Sequence, residues 1–288
     1  MQKIYKIIYQ LKSKYKSNID FDTRLLKKND IFIGLKTKNN DGNLYYDEAI
    51  KKKASLVIVN FKNKHPKLLY AKDTQIFIKN FCKFIIDSYK GKIIAVTGSV
   101  GKTTFKENIY NILINNNYNT YRSYKNYNNI LGLQFSIMNM NLSSNYSIFE
   151  LGINSSNEMT NLIKTLKPHY CLVTGIENSR IGNFRNFSHL IENKLKIFNS
   201  KRLIKGLVNY NYDPSYIKNK INSKVKLINV NNLKKYIHKY KKNFLIDFKY
   251  NTKNYLINSS KGDFCINIAI ISFLFVKSFT KKIKLTPK

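Results

Sequence analysis

Cysteine is scarce: Cys82, Cys171 and Cys265 stand far apart, each within an apolar run. That spacing excludes a disulfide framework and a zinc site built on paired thiolates, and it fits a reducing cytoplasm. Long apolar runs are lacking as well. The longest, Phe264 to Val276, is too short to cross a bilayer and carries Asn267, so it reads as a buried helix rather than a membrane span. A cleavable leader is not expected, because Met1 to Tyr15 mixes lysines with apolar residues and has no uninterrupted apolar core. Acidic residues are few: 16 Asp and Glu face 51 Lys and Arg, a formal net charge of +35 at pH 7. A charge of this size ordinarily points to nucleic acid or an anionic surface. Here the excess is mostly lysine spread along the whole chain beside Asn, Ile and Tyr, not gathered on one element with stacking aromatics. No specific nucleic-acid partner is expected from that pattern, only a general attraction to phosphate ligands. No repeat of fixed period is present.

The 288 residues suffice for two domains that each bury a core. Asp30 to Leu35 and Ser55 to Asn60 read as strands flanking a helix at Tyr46 to Lys53, and an amphipathic helix at Asp73 to Tyr89 leads away from them. This predicts a small α/β domain over 1–88. Lys92 to Val96 is a continuous apolar strand of the kind buried on both faces of a parallel sheet. Helices at Thr104 to Asn115, Glu158 to Leu166 and His189 to Phe198 then alternate with strands at Tyr146 to Leu151 and Tyr170 to Thr174, which predicts a doubly wound, mostly parallel sheet over 89–288. Asn243 to Lys249 and Asn254 to Ile257 read as a hairpin before the apolar helix.

The sharpest local feature is Thr97-Gly98-Ser99-Val100-Gly101-Lys102-Thr103-Thr104, set between a buried strand and a helix. A glycine-rich turn there aims backbone N–H groups at phosphate oxygens. Lys102 reaches the β- and γ-phosphates, and the Thr103 hydroxyl holds Mg²⁺. Val96 occupies the place of the first glycine of the strict pattern, and an ordinary strand-to-helix turn with a chance Gly-Lys-Thr is the alternative. Glu150, at the end of a neighbouring strand, is a hard carboxylate suited to share that Mg²⁺, or else a solvated strand-end acid.

The segment from Thr97 to Ile109 resembles the ATP-binding motif of the Mur ligase family, and further motifs follow in order over nearly the whole chain. Lys125 to Asn129, with Gly132, is similar to the family's asparagine loop. Phe149 to Asn154, with Glu158, resembles the segment of the branch that adds D-alanyl-D-alanine. The resemblance implies an amino-terminal uridine-nucleotide-binding domain and a central P-loop ATPase domain, with ATP and Mg²⁺ as cofactors. It implies Gly98, Ser99, Gly101, Lys102, Thr103, Thr104 and Asn267 at the nucleotide, and Lys194, carbamylated, beside Thr103 and Glu150 as a metal ligand; Lys102, Glu150 and Lys194 are then the catalytic residues. Asn126, Asn128 and Asn129 are implied at phosphate or a substrate carboxylate, although in an Asn-rich chain such a cluster also reads as a turn. Asp22-Thr23-Arg24 and Asp41-Gly42-Asn43 resemble motifs bordering the uridine-nucleotide pocket, placing Thr23, Arg24, Asp41 and Gly42 at the substrate. Val208-Asn209 with Asp213-Pro214 also matches.

Four residues at three places depart from the family pattern. Arg180 stands where the family has a metal-associated histidine, and a fixed cation cannot ligate Mg²⁺. Asn43 replaces a histidine, and Asp263-Phe264 replace His-Asn ahead of Asn267. Ile283 to Lys288 resembles the junction into the family's carboxy-terminal domain, so the expectation is a ligase lacking that domain, with a partner chain as its possible source. The implied reaction joins D-alanyl-D-alanine to UDP-N-acetylmuramoyl-tripeptide through an acyl phosphate. The alternatives are a sister ligase adding a single amino acid, or a non-catalytic nucleotide-binding remnant or split subunit.

Overall fold

A computed structural model describes residues 2–37, 39–124, 127–177, 183–210, 214–229, 237–241, 245–250, 253–258, 263–280 and 283, with backbone alone from 237 to 264. It divides into two units, one of residues 1–89 with 134–139 and one of 90–133 with 140–288.

In the first unit α1 (Gln2–Tyr15) precedes β1 (Ile19–Asp20), β2 (Ile31–Ile33), α2 (Tyr46–Lys51), β3 (Leu56–Val59), β4 (Leu68–Tyr70) and α3 (Thr74–Ser88). The four strands pair in sequence order and all run parallel. Phe32, Val57 and Val59 from the strands pack with Leu26, Ala49 of α2 and Ala54 in one apolar core. Asp73 starts α3 by accepting from the backbone N–H groups of Gln75 and Ile76, which satisfies two donors that a helix leaves orphaned. Against α3 lies α1, whose buried Tyr5 stacks on Phe81 at 5.5 Å and meets Phe77 edge-on at 5.3 Å. The side chain of Asn139 closes the edge of β1, accepting from Ile19 N and donating to Ile19 O, both at 2.9 Å.

The second unit is built on β5 (Lys92–Thr97), buried from its second residue onward. There follow α4 (Lys102–Asn115), β6 (Thr120–Arg122), α5 (Ile130–Met138, whose second half groups with the first unit), β7 (Tyr146–Glu150), α6 (Glu158–Leu166), β8 (Tyr170–Val173), α7 (Phe187–Leu195), β9 (Lys205–Tyr210), α8 (Pro214–Lys218) and β10 (Val225–Asn229). Six parallel strands lie in the order β10-β9-β8-β5-β7-β6. The chain leaves β5 toward one edge and later returns to its other side at β8. In an open parallel sheet that reversal opens a crevice beyond the carboxyl ends of the strands, where ligands bind. The apolar α9 (Asp263–Lys277) packs with α4 in a core that includes Ile94, Phe105, Ile109, Ile148, Leu172, Phe273 and Phe275. Before it, β11 (Ile237–Lys241), β12 (Leu245–Tyr250) and β13 (Lys253–Asn258) form an antiparallel meander, one strand more than the hairpin the sequence predicts. Further differences are small. Helix α4 starts at Lys102, two residues early, because Gly101 ends the loop, and α7 starts at Phe187 because Asn186 accepts from His189 N.

Candidate active site

The loop after β5 emerges between β7 and β8, so three strand ends meet. Gly101 has φ 75°, ψ 0°, a conformation that favours glycine, and a Cβ on Gly98 would overlap the Thr174 hydroxyl. The loop is tied to β8 and its continuation: Ser99 N donates to Gly175 O at 2.8 Å, Thr174 Oγ1 to Val100 O at 2.6 Å, and Glu177 N to Ser99 Oγ at 3.0 Å. On the other side Thr97 Oγ1 donates to Leu151 O at 2.8 Å. Sequence patterning identifies the loop but not these anchors; Thr174 is placed there only as the end of a strand. Asn209, from β9, donates to Thr174 O at 2.8 Å.

Lys102 Nζ donates to Gly98 O at 3.1 Å and to Ser99 O at 3.3 Å. Lys194, on α7 and 5% exposed, donates to the same Gly98 O at 3.0 Å. Two ammonium groups thus converge on one carbonyl. They line a cavity of about 520 Å³ together with Gly98, Ser99, Asn128, Asn129, Gly152, Asn154 and Phe184, and no carboxylate is among its described lining residues. Its size falls in the range of about 300–1,000 Å³ usual for small-molecule sites. Paired cations with amides and backbone N–H groups suit a polyanion.

Glu150, at the end of β7, is 2% exposed. Its Oε2 accepts from Thr103 Oγ1 at 2.7 Å and its Oε1 from Asn128 Nδ2 at 3.1 Å. Neighbouring ligands of octahedral Mg²⁺ stand about 2.8–3.0 Å apart when each lies at about 2.0–2.1 Å from the ion. The Thr103 and Glu150 oxygens therefore have both the hardness and the spacing to ligate one Mg²⁺, with phosphate and water completing its shell. Among the described residues no three His, Cys, Asp or Glu side chains cluster as a metal site by themselves. Cys82 and Cys171 stay out of the chemistry, since burial pushes both thiols up and keeps them protonated.

Residues 96–275 match the description Mur ligase middle domain. The chain belongs to the Mur ligase family. It is 31% identical over 228 residues, 78% of its own length, to a UDP-N-acetylmuramoyl-tripeptide–D-alanyl-D-alanine ligase of Rickettsia prowazekii. To a ligase of the same name from Buchnera aphidicola it is 32% identical over 203 residues, 69% of its length. These alignments cover 50% and 44% of the relatives, so the chain spans about half the length of the curated proteins it matches. Among solved structures, a MurF ligase from Thermotoga maritima in complex with ADP superposes with a TM-score of 0.71 at 18% identity, covering 93% of this chain and 64% of that one. A MurF from Acinetobacter baumannii gives 0.71 at 19% identity, covering 92% and 60%.

The Mur ligase fold brings Gly98, Ser99, Gly101, Lys102, Thr103, Glu150, Asn128, Asn129 and Lys194 into one region, with Thr104 beside Thr103 on the first turn of α4. Asn129 is committed in part to α5, its Oδ1 accepting from Gly132 N at 2.8 Å. Asn267 is half-buried on α9 and is not among the residues lining the cavity. Glu158 holds its own turn, accepting from Asn154 N at 2.7 Å and Ser155 Oγ at 2.8 Å. Asn126, Arg180, Asp213 and the side chains of Asp263 and Phe264 lie outside the described residues, as does most of 283–288.

The first unit carries the other two motifs at the carboxyl ends of its parallel strands. Asp22 caps the turn Thr23–Leu25 and pairs with Arg24, which holds its carboxyl below the usual range. Thr23 Oγ1 donates to Glu48 Oε2 at 2.8 Å. Asp41 caps the turn at Gly42, accepting from Asn43 N at 3.0 Å and Asn43 Nδ2 at 2.6 Å, while Asn43 Oδ1 accepts from Asn60 N at 2.9 Å. Asn43, at a histidine position of the family, is thus a buried bracket between two strand ends.

Proposed function

We propose that this Mur ligase chain binds Mg·ATP at the loop 98–104 and serves the reaction named for its relatives, the joining of D-alanyl-D-alanine to UDP-N-acetylmuramoyl-tripeptide. The γ-phosphoryl group passes to an oxygen of the tripeptide's terminal carboxylate and ADP leaves. The dipeptide amine then attacks the acyl phosphate, inorganic phosphate departs, and an amide forms. Most of the catalysis in such a phosphoryl transfer is positioning and charge neutralisation. Lys102 binds the outer phosphates, and releasing its own loop carbonyls frees it to do so. Thr103 and Glu150 hold Mg²⁺, which on binding spreads the charge of the transferring group. Lys194, once carbamylated, changes from a cation at Gly98 O into a carboxylate-like ligand. Residues 1–88 take the uridine nucleotide through Thr23, Arg24, Asp41 and Gly42, and residues 89–288 take ATP, with Asn267 toward the adenine. The cytoplasm is the matching compartment; among the described residues no helix is long and apolar enough to cross a membrane.

The observation that carries this reading is the 2.7 Å contact between Thr103 and a buried Glu150 beside a cavity lined by two lysines. Calorimetric titration of Mg·ATP into wild type and Lys102→Ala tests it. The variant is expected to bind at least about tenfold more weakly, the loss of one charge-assisted contact to phosphate. Equal affinities would remove the nucleotide from this loop. Product formation with D-alanyl-D-alanine, against diaminopimelate or lysine, then tests the substrate.

A further inference from the structure

Asn128 lies in the loop between β6 and α5, and both of its polar ends meet the segment that carries Glu150. Its side-chain amide donates to Glu150 Oε1 at 3.1 Å, and its backbone carbonyl accepts from Gly152 N at 2.9 Å. The other carboxylate oxygen, Oε2, is held at 2.7 Å by Thr103, and Glu150 N donates to Ser123 Oγ at 3.3 Å. Each oxygen of the acid is therefore fixed by a donor from a different element, and the carboxylate cannot turn without breaking one of these bonds. Gly152 makes the approach possible: a Cβ there would stand 2.8 Å from Asn128 Cγ and 2.9 Å from its Oδ1.

The chemistry of the donor matters. In a chain with 51 Lys and Arg, the group placed on Glu150 Oε1 is a neutral amide. A lysine there would neutralise the acid and compete with a cation for it. An amide orients the acid and leaves its full charge for Mg²⁺. We infer that Asn128 is a positioning residue, setting the Glu150 carboxylate for Mg²⁺ beside the nucleotide phosphates, rather than a contact for phosphate or a substrate carboxylate. The inference rests on the nucleotide reading above.

The test uses the full chain and ADP as the probe, with affinity measured across a series of Mg²⁺ concentrations and in excess chelator. Asn128→Ala is expected to keep the Mg²⁺-free affinity within about twofold. The Mg²⁺ concentration giving half-maximal enhancement should rise about tenfold, the loss typical of removing a group that orients a metal ligand. Asn128→Ser, too short to reach Glu150, gives the same readout should the alanine variant not fold. An unchanged Mg²⁺ requirement overturns the inference, and so does a loss of affinity that is equal with and without Mg²⁺. A wild-type chain that binds ADP with no Mg²⁺ dependence overturns the underlying nucleotide reading first, which separates the two failures.

Discussion

Glu150 is a buried acid whose side-chain hydrogen-bond partners among the described residues, Thr103 and Asn128, are neutral. Burying a carboxylate is costly unless its charge is met, and neutral donors meet only part of it. Folding alone does not explain such a residue; the Mg²⁺ proposed above would. Glu150→Gln keeps the shape and removes the charge. It is expected to leave thermal stability within about 1 kcal/mol of wild type or to raise it, since the cost of burying the charge disappears. At the same time the Mg²⁺-dependent part of ADP affinity should fall by about tenfold or more, with the Mg²⁺-free part retained. Melting curves and parallel titrations check both halves, and a retained Mg²⁺ response would make the acid purely structural. The pair of Thr103 and Glu150 was legible in the sequence because the glycine loop and the strand end each carry a local signature. The role of Asn128 was not legible. Asparagines are common throughout this chain, and the bond that distinguishes this one is made to a residue 22 positions away.

At the scale of elements, β5 and β8 are joined by more than their ladder. His169, just before β8, accepts from Ile93 N through Nδ1 at 3.0 Å, which requires a neutral ring. Burial, with Lys92 and Arg202 nearby, lowers its pKa from 6.5 to about 4. The unfolded chain takes up a proton near pH 6.5 that the folded chain refuses until about pH 4, so the stability from this residue is present above 6.5 and declines as pH falls toward 4. Between pH 7.5 and 5.0 the decline is at most about 2 kcal/mol, and about 1 kcal/mol once solvent access to the ring is allowed for. Chemical denaturation at the two pH values should show His169→Gln losing less stability than wild type by about that amount, and identical losses would refute the linkage. The strands flanking the site were readable from their apolar continuity, and α9 from its length. Others were missed for physical reasons. The strand β6 is three residues long and half-buried, and the apolar run of α5 has no periodicity that separates helix from strand. Only Tyr5 and Ile8 of α1 are buried, a thin stripe hidden among lysines in the sequence.

At the scale of the molecule, the +35 charge and the cavity are two different ways of attracting phosphate, and salt separates them. Lysines spread over a surface act through a field screened over about 8 Å at physiological ionic strength, and their hold on a polyanion falls steeply as counterions compete. The cavity at the loop 98–104 instead offers backbone N–H groups of the loop and Lys102, with Lys194 of α7 beside them at 5% exposed, for direct short-range bonds to a bound phosphate. Short-range bonds in an enclosed site are screened far less. Duplex DNA should therefore be retained on a filter by this chain at about 50 mM salt and lost by about 200 mM, with no preference for sequence. Over the same range Mg·ADP affinity should change by less than about tenfold. DNA binding that survives the higher salt and discriminates between sequences would mean that the basic surface recognises nucleic acid in its own right. Loss of both ligands together would mean that the loop contributes nothing beyond the general field, and the site would then have no claim to the nucleotide.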